Sequence, residues 1–245
     1  MNRSNFQNRQ IESEEEKEVR RAVISEVTRT EKTQAEKGGK RAVILGITGA
    51  TGSGKTECGK ILENEFNCLV INMDKLAHAL MEPGLPCYND IVMYFGGGIL
   101  AKDGKIDRKK LGGIVFSDVA QLRKLSFISH HYVRMETEKI IEENKNKYDA
   151  IVLDAPVLFG AHMAKMCDYT IGIFADDNLR LDRIIARDNL TAYDAMLRMD
   201  GQNVQKGLLE LVDFVIYNNE EPGHLWNEIR NVAIEAMESF YDKKG

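Results

Sequence analysis

Short runs of mainly apolar residues recur between residues 42 and 218, and polar or glycine-rich stretches follow them. They read AVILGIT, CLVINMD, AIVLDAP, YTIGIFA and FVIYN, and they begin at Ala42, Cys68, Ala150, Tyr169 and Phe214. Runs of four to eight residues without apolar–polar alternation are typical of strands that are covered on both faces. The pattern therefore predicts five parallel strands, the second of them over residues 68–74.

Helical periodicity lies between and after these runs, most clearly over residues 56–66, 118–144 and 224–241. Helices that connect parallel strands form right-handed crossovers, so the pattern predicts an α/β doubly wound fold with a five-stranded parallel sheet. The second and third runs are separated by a stretch too long for one crossover. We expect an inserted, mostly helical substrate-binding region there, at about residues 75–145.

The first forty residues have a different character from the rest of the chain. Ten basic and eight acidic residues lie within residues 1–41, which marks a charged N-terminal extension (1–40) before a domain at 41–245. Val19, Val23 and Val27 have helical spacing and form a narrow apolar stripe. The extension is interpreted either as a solvated segment or as a helix that docks or dimerises.

Composition excludes several classes of protein. Acidic residues number 38 and basic residues 33, and the formal net charge of −5 disfavours nucleic acid or anionic lipid as a partner. The four cysteines form no C-x-x-C pair, and no apolar segment reaches the roughly 18 residues of a membrane span. We expect a cytoplasmic protein that acts on a small molecule, without nucleic acid or membrane, as a monomer or weak homo-oligomer.

A glycine-rich loop follows the first predicted strand and precedes a predicted helix. It matches G-x-x-x-x-G-K-[ST] and consists of Gly49, Ala50, Thr51, Gly52, Ser53, Gly54, Lys55 and Thr56. Its glycines allow backbone N–H groups to surround phosphate at a helix N-terminus. Lys55 is expected to reach the β- and γ-phosphates and Thr56 to coordinate Mg²⁺, so the loop predicts binding of ATP with Mg²⁺.

A GTPase is disfavoured by two features. The sequence N-K-x-D at residues 146–149 matches the guanine-recognition pattern, but it precedes a predicted strand instead of following one. The strand that ends at Asp154 continues as Ala155-Pro156-Val157, which lacks the D-x-x-G switch.

Two aspartates are placed at predicted strand ends, where ligands bind in parallel sheets. Asp74 is interpreted either as the carboxylate that accepts a hydroxyl proton or as a helix cap. Asp154 is interpreted as a magnesium ligand, with capping as the alternative.

Three arginines have helical spacing after the fourth predicted strand. Arg180, Arg183 and Arg187 are expected on one side of a helix within a lid at about residues 177–206. They are either mobile cations that neutralise a migrating phosphoryl group or part of a solvated, charged face.

The assembled motifs resemble those of dephospho-CoA kinases, P-loop kinases that phosphorylate the ribose 3′-hydroxyl of dephospho-CoA in the last step of coenzyme A biosynthesis. The resemblance covers roughly residues 44–219 and rests on ITGATGSGKT, MEPGLPCYNDI, FGGGILAKDGKIDRKKLGGIVFSD, VLDAPVLF, RLDRIIARD and FVIYNN. It implies that Asp74 activates the acceptor and that Lys55, Arg183 and Arg187 serve catalysis. It also implies that Arg108 and His130 contact the substrate.

The chain departs from the family pattern at four positions of the motifs, and the extension has no family counterpart. Asn72 stands for an aspartate, His131 for a proline, Gly160 for a glutamate and Arg180 for a glutamine. A P-loop kinase with another nucleotide-like acceptor and a non-catalytic nucleotide-binding regulator therefore remain alternatives.

Overall fold

The computed structural model describes residues 14–29, 41–160, 162–200 and 205–243. These residues divide into two compact units. The helical unit contains residues 76–132 together with 14–26, and the sheet unit contains the described residues of 27–75 and 133–243.

A six-stranded sheet forms the centre of the sheet unit. Its strands are β1 (Thr28–Arg29), β2 (Val43–Thr48), β3 (Cys68–Asn72), β4 (Ala150–Asp154), β5 (Tyr169–Phe174) and β6 (Phe214–Tyr217). The order across the sheet is β1-β3-β4-β2-β5-β6, and β2 to β6 are parallel. The predicted α/β doubly wound fold with five parallel strands is confirmed.

Strand β1 is an addition that the sequence prediction did not contain. It pairs antiparallel with β3 at the sheet edge, with Thr28 opposite Ile71 and Arg29 opposite Val70. Because it has two residues, it has no recognisable apolar pattern of its own.

The prediction of a strand over residues 68–74 is wrong at its end. β3 stops at Asn72, whose Oδ1 accepts a hydrogen bond from the Lys75 backbone N–H at 2.9 Å. An asparagine in this position caps the N-terminus of a helix, and a helix indeed begins at Met73. Asp74 therefore lies in the first turn of a helix.

The described residues form ten α-helices, which include those predicted over 56–66, 118–144 and 224–241. They are α1 (Glu14–Val27), α2 (Lys55–Glu65), α3 (Met73–Ala79), α4 (Pro86–Phe95), α5 (Arg108–Val115), α6 (Val119–Asn144), α7 (Asp177–Asp188), α8 (Ala192–Asp200), α9 (Gln205–Leu208) and α10 (Pro222–Asp242). Short 3₁₀ helices occupy Gly97–Ile99 and Met163–Met166.

The core of the sheet unit lies between the sheet and helices α2 and α10. Every second residue of the parallel strands points into it, as strand geometry requires. The apolar stripe of α10 covers this face with Leu225, Ile229, Ala233, Ala236 and Phe240, all buried. This packing fixes β2 and α2, and with them the loop that connects the two.

The helical unit has its own buried side chains. Ile91, Ile99, Leu111 and Val115 are buried, and they come from α4, the first 3₁₀ helix and α5. The Asp107 carboxylate caps α5 by accepting hydrogen bonds from the N–H groups of the second and third residues of that helix. This cap fixes the position of Arg108, the first residue of α5.

Part of the predicted N-terminal extension forms α1. Val23 and Val27 are buried, so this helix is not a fully solvated segment. Residues 1–13 and 30–40 of the extension lie outside the described residues. Among the described residues, no helix is both long and apolar enough to cross a membrane.

Candidate active site

The predicted phosphate loop connects the central strand β2 to α2. Gly52 and Gly54 have φ angles of 81° and 106°, which side-chain-bearing residues rarely adopt. A Cβ atom on Gly52 would lie 2.8 Å from the carbonyl oxygen of Arg180, and one on Gly54 would lie 2.3 Å from Asn218 Nδ2. Both glycines are therefore required by the backbone conformation and by the close approach of neighbouring groups.

The N-terminus of α2 is arranged to bind an anion. Gly54 occupies its N-cap position, and no side chain of the described residues caps it by hydrogen bonding. The first N–H groups of a helix have no intrahelical partners, and the helix dipole adds positive potential at the same place. Phosphate can satisfy both features.

Lys55 is held against the loop. Its Nζ donates hydrogen bonds to the carbonyl oxygens of Gly49, at 2.7 Å, and Ala50, at 3.3 Å. Burial lowers the pKa of Lys55, while the negative charges of Asp154 and Asp74 oppose this effect. The amine is thus placed beside both aspartates and beside the anion-binding backbone.

A cleft of about 750 Å³ opens at this end of the sheet unit. Its lining brings together most of the site residues that the sequence predicts: Thr51, Gly52, Gly54, Lys55, Thr56, Asp74, Asp154, Arg183 and Arg187. The volume is within the range of pockets that bind small molecules or cofactors. The cleft is the candidate active site.

The two aspartates of the cleft have different environments. Asp74 is exposed in the first turn of α3, whereas Asp154 is 4% exposed at the end of β4. Asn72 lies opposite Asp154 in the sheet, and its Nδ2 donates to the Asp154 carboxylate at 3.4 Å. Asp154 is therefore fixed in place, and Asp74 is accessible to a molecule in the cleft.

The three arginines that were predicted on one side of a helix lie on α7, where their surroundings differ. Arg183 and Arg187 line the cleft, but the Arg180 side chain is buried against the phosphate loop and is not part of the lining. Its Nε donates to the carbonyl oxygen of Thr51 at 2.9 Å. Arg183 also contacts this loop, since its Nη1 donates to the carbonyl oxygen of Gly52 at 3.5 Å.

Arg187 forms a charged cluster with two further residues. It donates two hydrogen bonds to the Asp188 carboxylate, at 2.8 and 2.7 Å, and Arg198 of α8 donates a third at 2.7 Å. The hydrogen bond from Arg187 lowers the pKa of Asp188, so that this carboxylate stays ionised. Arg198 also lines the cleft, so three arginines, Arg183, Arg187 and Arg198, contribute to its lining. Of the predicted lid, residues 201–204 lie outside the described residues.

Two predicted substrate contacts, Arg108 and His130, belong to the helical unit. Arg108 lines a second cleft of about 490 Å³, together with apolar residues of α5 and with His78 and Lys105. His130 lies on α6, is partly buried, and lines neither of these two clefts. Their contact with substrate stays a prediction.

Asn218 is a residue that the sequence analysis missed. It follows β6 and is 6% exposed, and its Nδ2 donates to the carbonyl oxygen of Ser53 at 2.8 Å. The two residues are 165 positions apart. The sequence offered one signal, a polar residue at the carboxyl end of a predicted parallel strand.

The N-K-x-D sequence at residues 146–149 lies between the end of α6 and the start of β4. It therefore precedes a parallel strand, as predicted. Because ligands of parallel sheets bind at the carboxyl ends of strands, it is misplaced for guanine recognition.

The chain is similar to proteins of a known family. The family model for dephospho-CoA kinase matches residues 43–223. The dephospho-CoA kinase of Carboxydothermus hydrogenoformans is 36% identical over 177 residues, which cover 72% of this chain and 85% of that protein. An uncharacterised protein of Schizosaccharomyces pombe is 35% identical over 201 residues, 81% of this chain and 85% of its own.

Two solved structures are similar to the chain. A protein of Thermus thermophilus has a TM-score of 0.68 at 23% identity and covers 80% of this chain and 98% of its own, which shows the shared fold. The dephospho-CoA kinase of Campylobacter jejuni has a TM-score of 0.57 at 26% identity, with the same coverage. On the extent of the family match and the identity to its members, the chain belongs to the dephospho-CoA kinase family.

Proposed function

We propose that the protein transfers the γ-phosphate of ATP to the ribose 3′-hydroxyl of dephospho-CoA. The observation that carries this proposal is the convergence of Lys55, Asp74 and Asp154 on one cleft beside the phosphate loop. Phosphoryl transfer needs a bound triphosphate, positive charge at the transferred group and a carboxylate near the acceptor, and this cleft offers all three. Family membership supports dephospho-CoA as the acceptor.

The triphosphate is held by the residues of the loop. Backbone N–H groups of the loop and the N-terminus of α2 bind the β-phosphate, and Lys55 reaches the β- and γ-phosphates. Arg183 and Arg187, which also line the cleft, neutralise charge that develops on the transferred phosphoryl group. Catalysis then depends mainly on positioning and electrostatic stabilisation.

Asp74 acts on the acceptor. As an exposed carboxylate in the cleft, it can hydrogen-bond to the attacking hydroxyl and accept its proton. Because α3 is capped by Asn72, the first turn that carries Asp74 is ordered before the acceptor binds.

The residues of the cleft fit a magnesium ion bound jointly by protein and ATP. Among the described residues, no group of three or more His, Cys, Asp or Glu side chains could hold a metal. Mg²⁺ with nucleotide typically takes one or two protein oxygens and completes its shell with phosphates and water. We propose the Thr56 hydroxyl and the Asp154 carboxylate for this role. When bound, Mg²⁺ offsets the negative charge of the β- and γ-phosphates.

Arg108 and His130 are proposed as contacts of dephospho-CoA within the helical unit. The guanidinium of Arg108 can pair with the diphosphate of the acceptor, for which arginine has suitable geometry.

A cytoplasmic location is also proposed, and it is supported by four free cysteines, Cys58, Cys68, Cys87 and Cys167. The proposed partners are small molecules, without nucleic acid or membrane, and the net charge of −5 supports this. A monomer or weak homo-oligomer remains the expectation.

The test offers the purified full chain Mg-ATP with dephospho-CoA, or with a panel of nucleosides and nucleotides, and measures ADP release. ADP release that depends on dephospho-CoA supports the proposal. Preferred transfer to another acceptor contradicts it and supports another small-molecule kinase, and ATP binding without transfer supports a regulator. Asp242→Asn, an exposed aspartate on α10 that does not line the cleft, serves as the matched control for Asp74→Asn.

A further inference from the structure

Three consecutive carbonyl groups of the phosphate loop are each bound by a side chain from a distant part of the sequence. The Thr51 oxygen accepts from Arg180 Nε at 2.9 Å, and the Ser53 oxygen accepts from Asn218 Nδ2 at 2.8 Å. Between them, the Gly52 oxygen accepts a longer hydrogen bond from Arg183 Nη1 at 3.5 Å. Arg180, Arg183 and Asn218 therefore fix the orientation of these three carbonyl groups.

Arg180 is placed to support the loop and not to line the cleft. It is 3% exposed, and its Nη1 pairs with Asp177 at 2.7 Å, one turn earlier on α7. Its backbone lies so close to Gly52 that a Cβ atom there would be 2.8 Å from the Arg180 oxygen. The buried cation therefore joins α7 to the loop.

Asn218, which follows β6, makes a second connection to the loop through the Ser53 oxygen. Its backbone N–H donates to the Phe174 oxygen at 2.7 Å, and its own carbonyl oxygen accepts from Arg183 Nη2 at 3.1 Å. One buried asparagine thus connects the loop, the end of β5 and an arginine of the cleft.

Because the peptide bond is planar, the hydrogen bonds to the Thr51 and Ser53 oxygens also fix the direction of the N–H groups that follow them. In a trans peptide the C=O and the following N–H point in opposite directions, so fixing one fixes the other. The contacts to Thr51 and Ser53 therefore direct the N–H groups of Gly52 and Gly54 to the opposite side. Gly52 and Gly54 both line the cleft.

We propose that Arg180 and Asn218 are positioning residues that preorganise the phosphate loop for nucleotide by holding the carbonyl groups of Thr51 and Ser53. The proposal rests on the nucleotide-binding part of the proposed function. The hydrogen bond of Arg180 to Thr51 is proposed as the important feature, because the positive charge of the guanidinium is paired with Asp177 through Nη1.

Two variants of Arg180 separate the hydrogen bond from the charge. In Arg180→Gln the amide nitrogen takes the place of Nε, so the donor to Thr51 is kept and the charge is lost. Arg180→Met has a side chain of the same length as the glutamine variant and loses both the donor and the charge. We expect the Kd for ATP, measured by calorimetric titration without acceptor, to stay within about threefold of wild type in the glutamine variant. It should rise roughly tenfold in the methionine variant, the usual effect of losing one buried hydrogen bond.

Two substitutions of Asn218 provide an independent test. Asn218→Ala removes the donor to Ser53 and should raise the Kd for ATP by roughly tenfold. Asn218→Asp sets an oxygen against the Ser53 oxygen and should weaken ATP binding further. Asn67→Ala is the control, since Asn67 also donates to a backbone oxygen, that of Lys147, but does not contact the loop.

The results distinguish the proposal from a general effect on folding. A lower binding stoichiometry with an unchanged Kd would mean loss of folded protein alone and would overturn the proposal. So would equal affinities of Arg180→Met and wild type, equal weakening in Arg180→Gln and Arg180→Met, or wild-type affinity in Asn218→Asp. Because the titration uses ATP alone, its outcome does not depend on whether dephospho-CoA proves to be the acceptor.

Discussion

The substitution Asp74→Asn separates nucleotide binding from transfer. Asparagine keeps the shape of the side chain and removes its ability to accept a proton. A positioned general base typically contributes between about 10² and 10⁴ in rate, so kcat should fall by at least roughly a hundredfold. Asp74 lies in α3, outside the loop that holds ATP, and its charge raises the pKa of Lys55.

The effect on ATP binding should be small because two consequences of losing this charge oppose each other. Lys55 loses support for its protonated form, while the triphosphate loses a repulsive carboxylate in the cleft. We expect the Kd for ATP to change by less than about threefold, within the range of a weak, exposed charge interaction.

Steady-state kinetics with dephospho-CoA and titration with ATP measure the two quantities on the same preparation. If the interaction is made in the transition state, kcat and kcat/KM for dephospho-CoA should fall by similar factors. Asp74→Asn protein that retains more than about a third of wild-type kcat would refute the assignment of Asp74.

Four further predictions concern Lys55, Asp154 and Val27. Lys55→Ala should lower kcat by at least about a hundredfold, as measured by ADP release. In the wild type, kcat/KM for ATP should fall as pH rises through the lowered pKa of Lys55, because the ammonium form binds phosphate; a decline confined to pH above the ordinary 10.5 would contradict this. Asp154→Asn should raise the Mg²⁺ concentration for half-maximal activity by roughly tenfold, and an unchanged magnesium titration would exclude Asp154 as a ligand. Val27→Ala should lower the free energy of unfolding by about 2 kcal/mol in chemical denaturation with kcat unchanged, since Val27 is 2% exposed; equal stability would show that α1 does not support the fold.

The parallel sheet and the phosphate loop could be predicted because both depend on local sequence. A strand covered on both faces needs a continuous apolar run, and an anion-binding turn needs glycines at fixed spacing. The two residues of β1 belong to the sheet through pairing with Ile71 and Val70, which no local pattern encodes. The end of β3 was predicted incorrectly because Met73 continues the apolar run, whereas the Asn72 side chain caps a helix that begins at Met73.

In the candidate site, too, the residues near predicted strands could be identified from the sequence, whereas those placed by tertiary packing could not. Lys55, Asp74 and Asp154 follow predicted strands, and the geometry of a parallel sheet brings such positions to one edge. Arg180 and Asn218 act on the loop across many residues of sequence, and their burial depends on tertiary packing. The spacing of the arginines predicts that Arg180 lies on a helix, but it does not predict that the phosphate loop packs against Arg180.

The position of the transferred phosphate tests the central claim most directly. Purified protein is incubated with Mg-ATP and dephospho-CoA, and the product is examined by phosphorus and proton NMR. We predict a new phosphomonoester on the ribose 3′-oxygen, formed by wild type and the Asp242→Asn control and lost in Asp74→Asn. A phosphate at any other position, or unchanged dephospho-CoA beside intact ATP, would contradict the account.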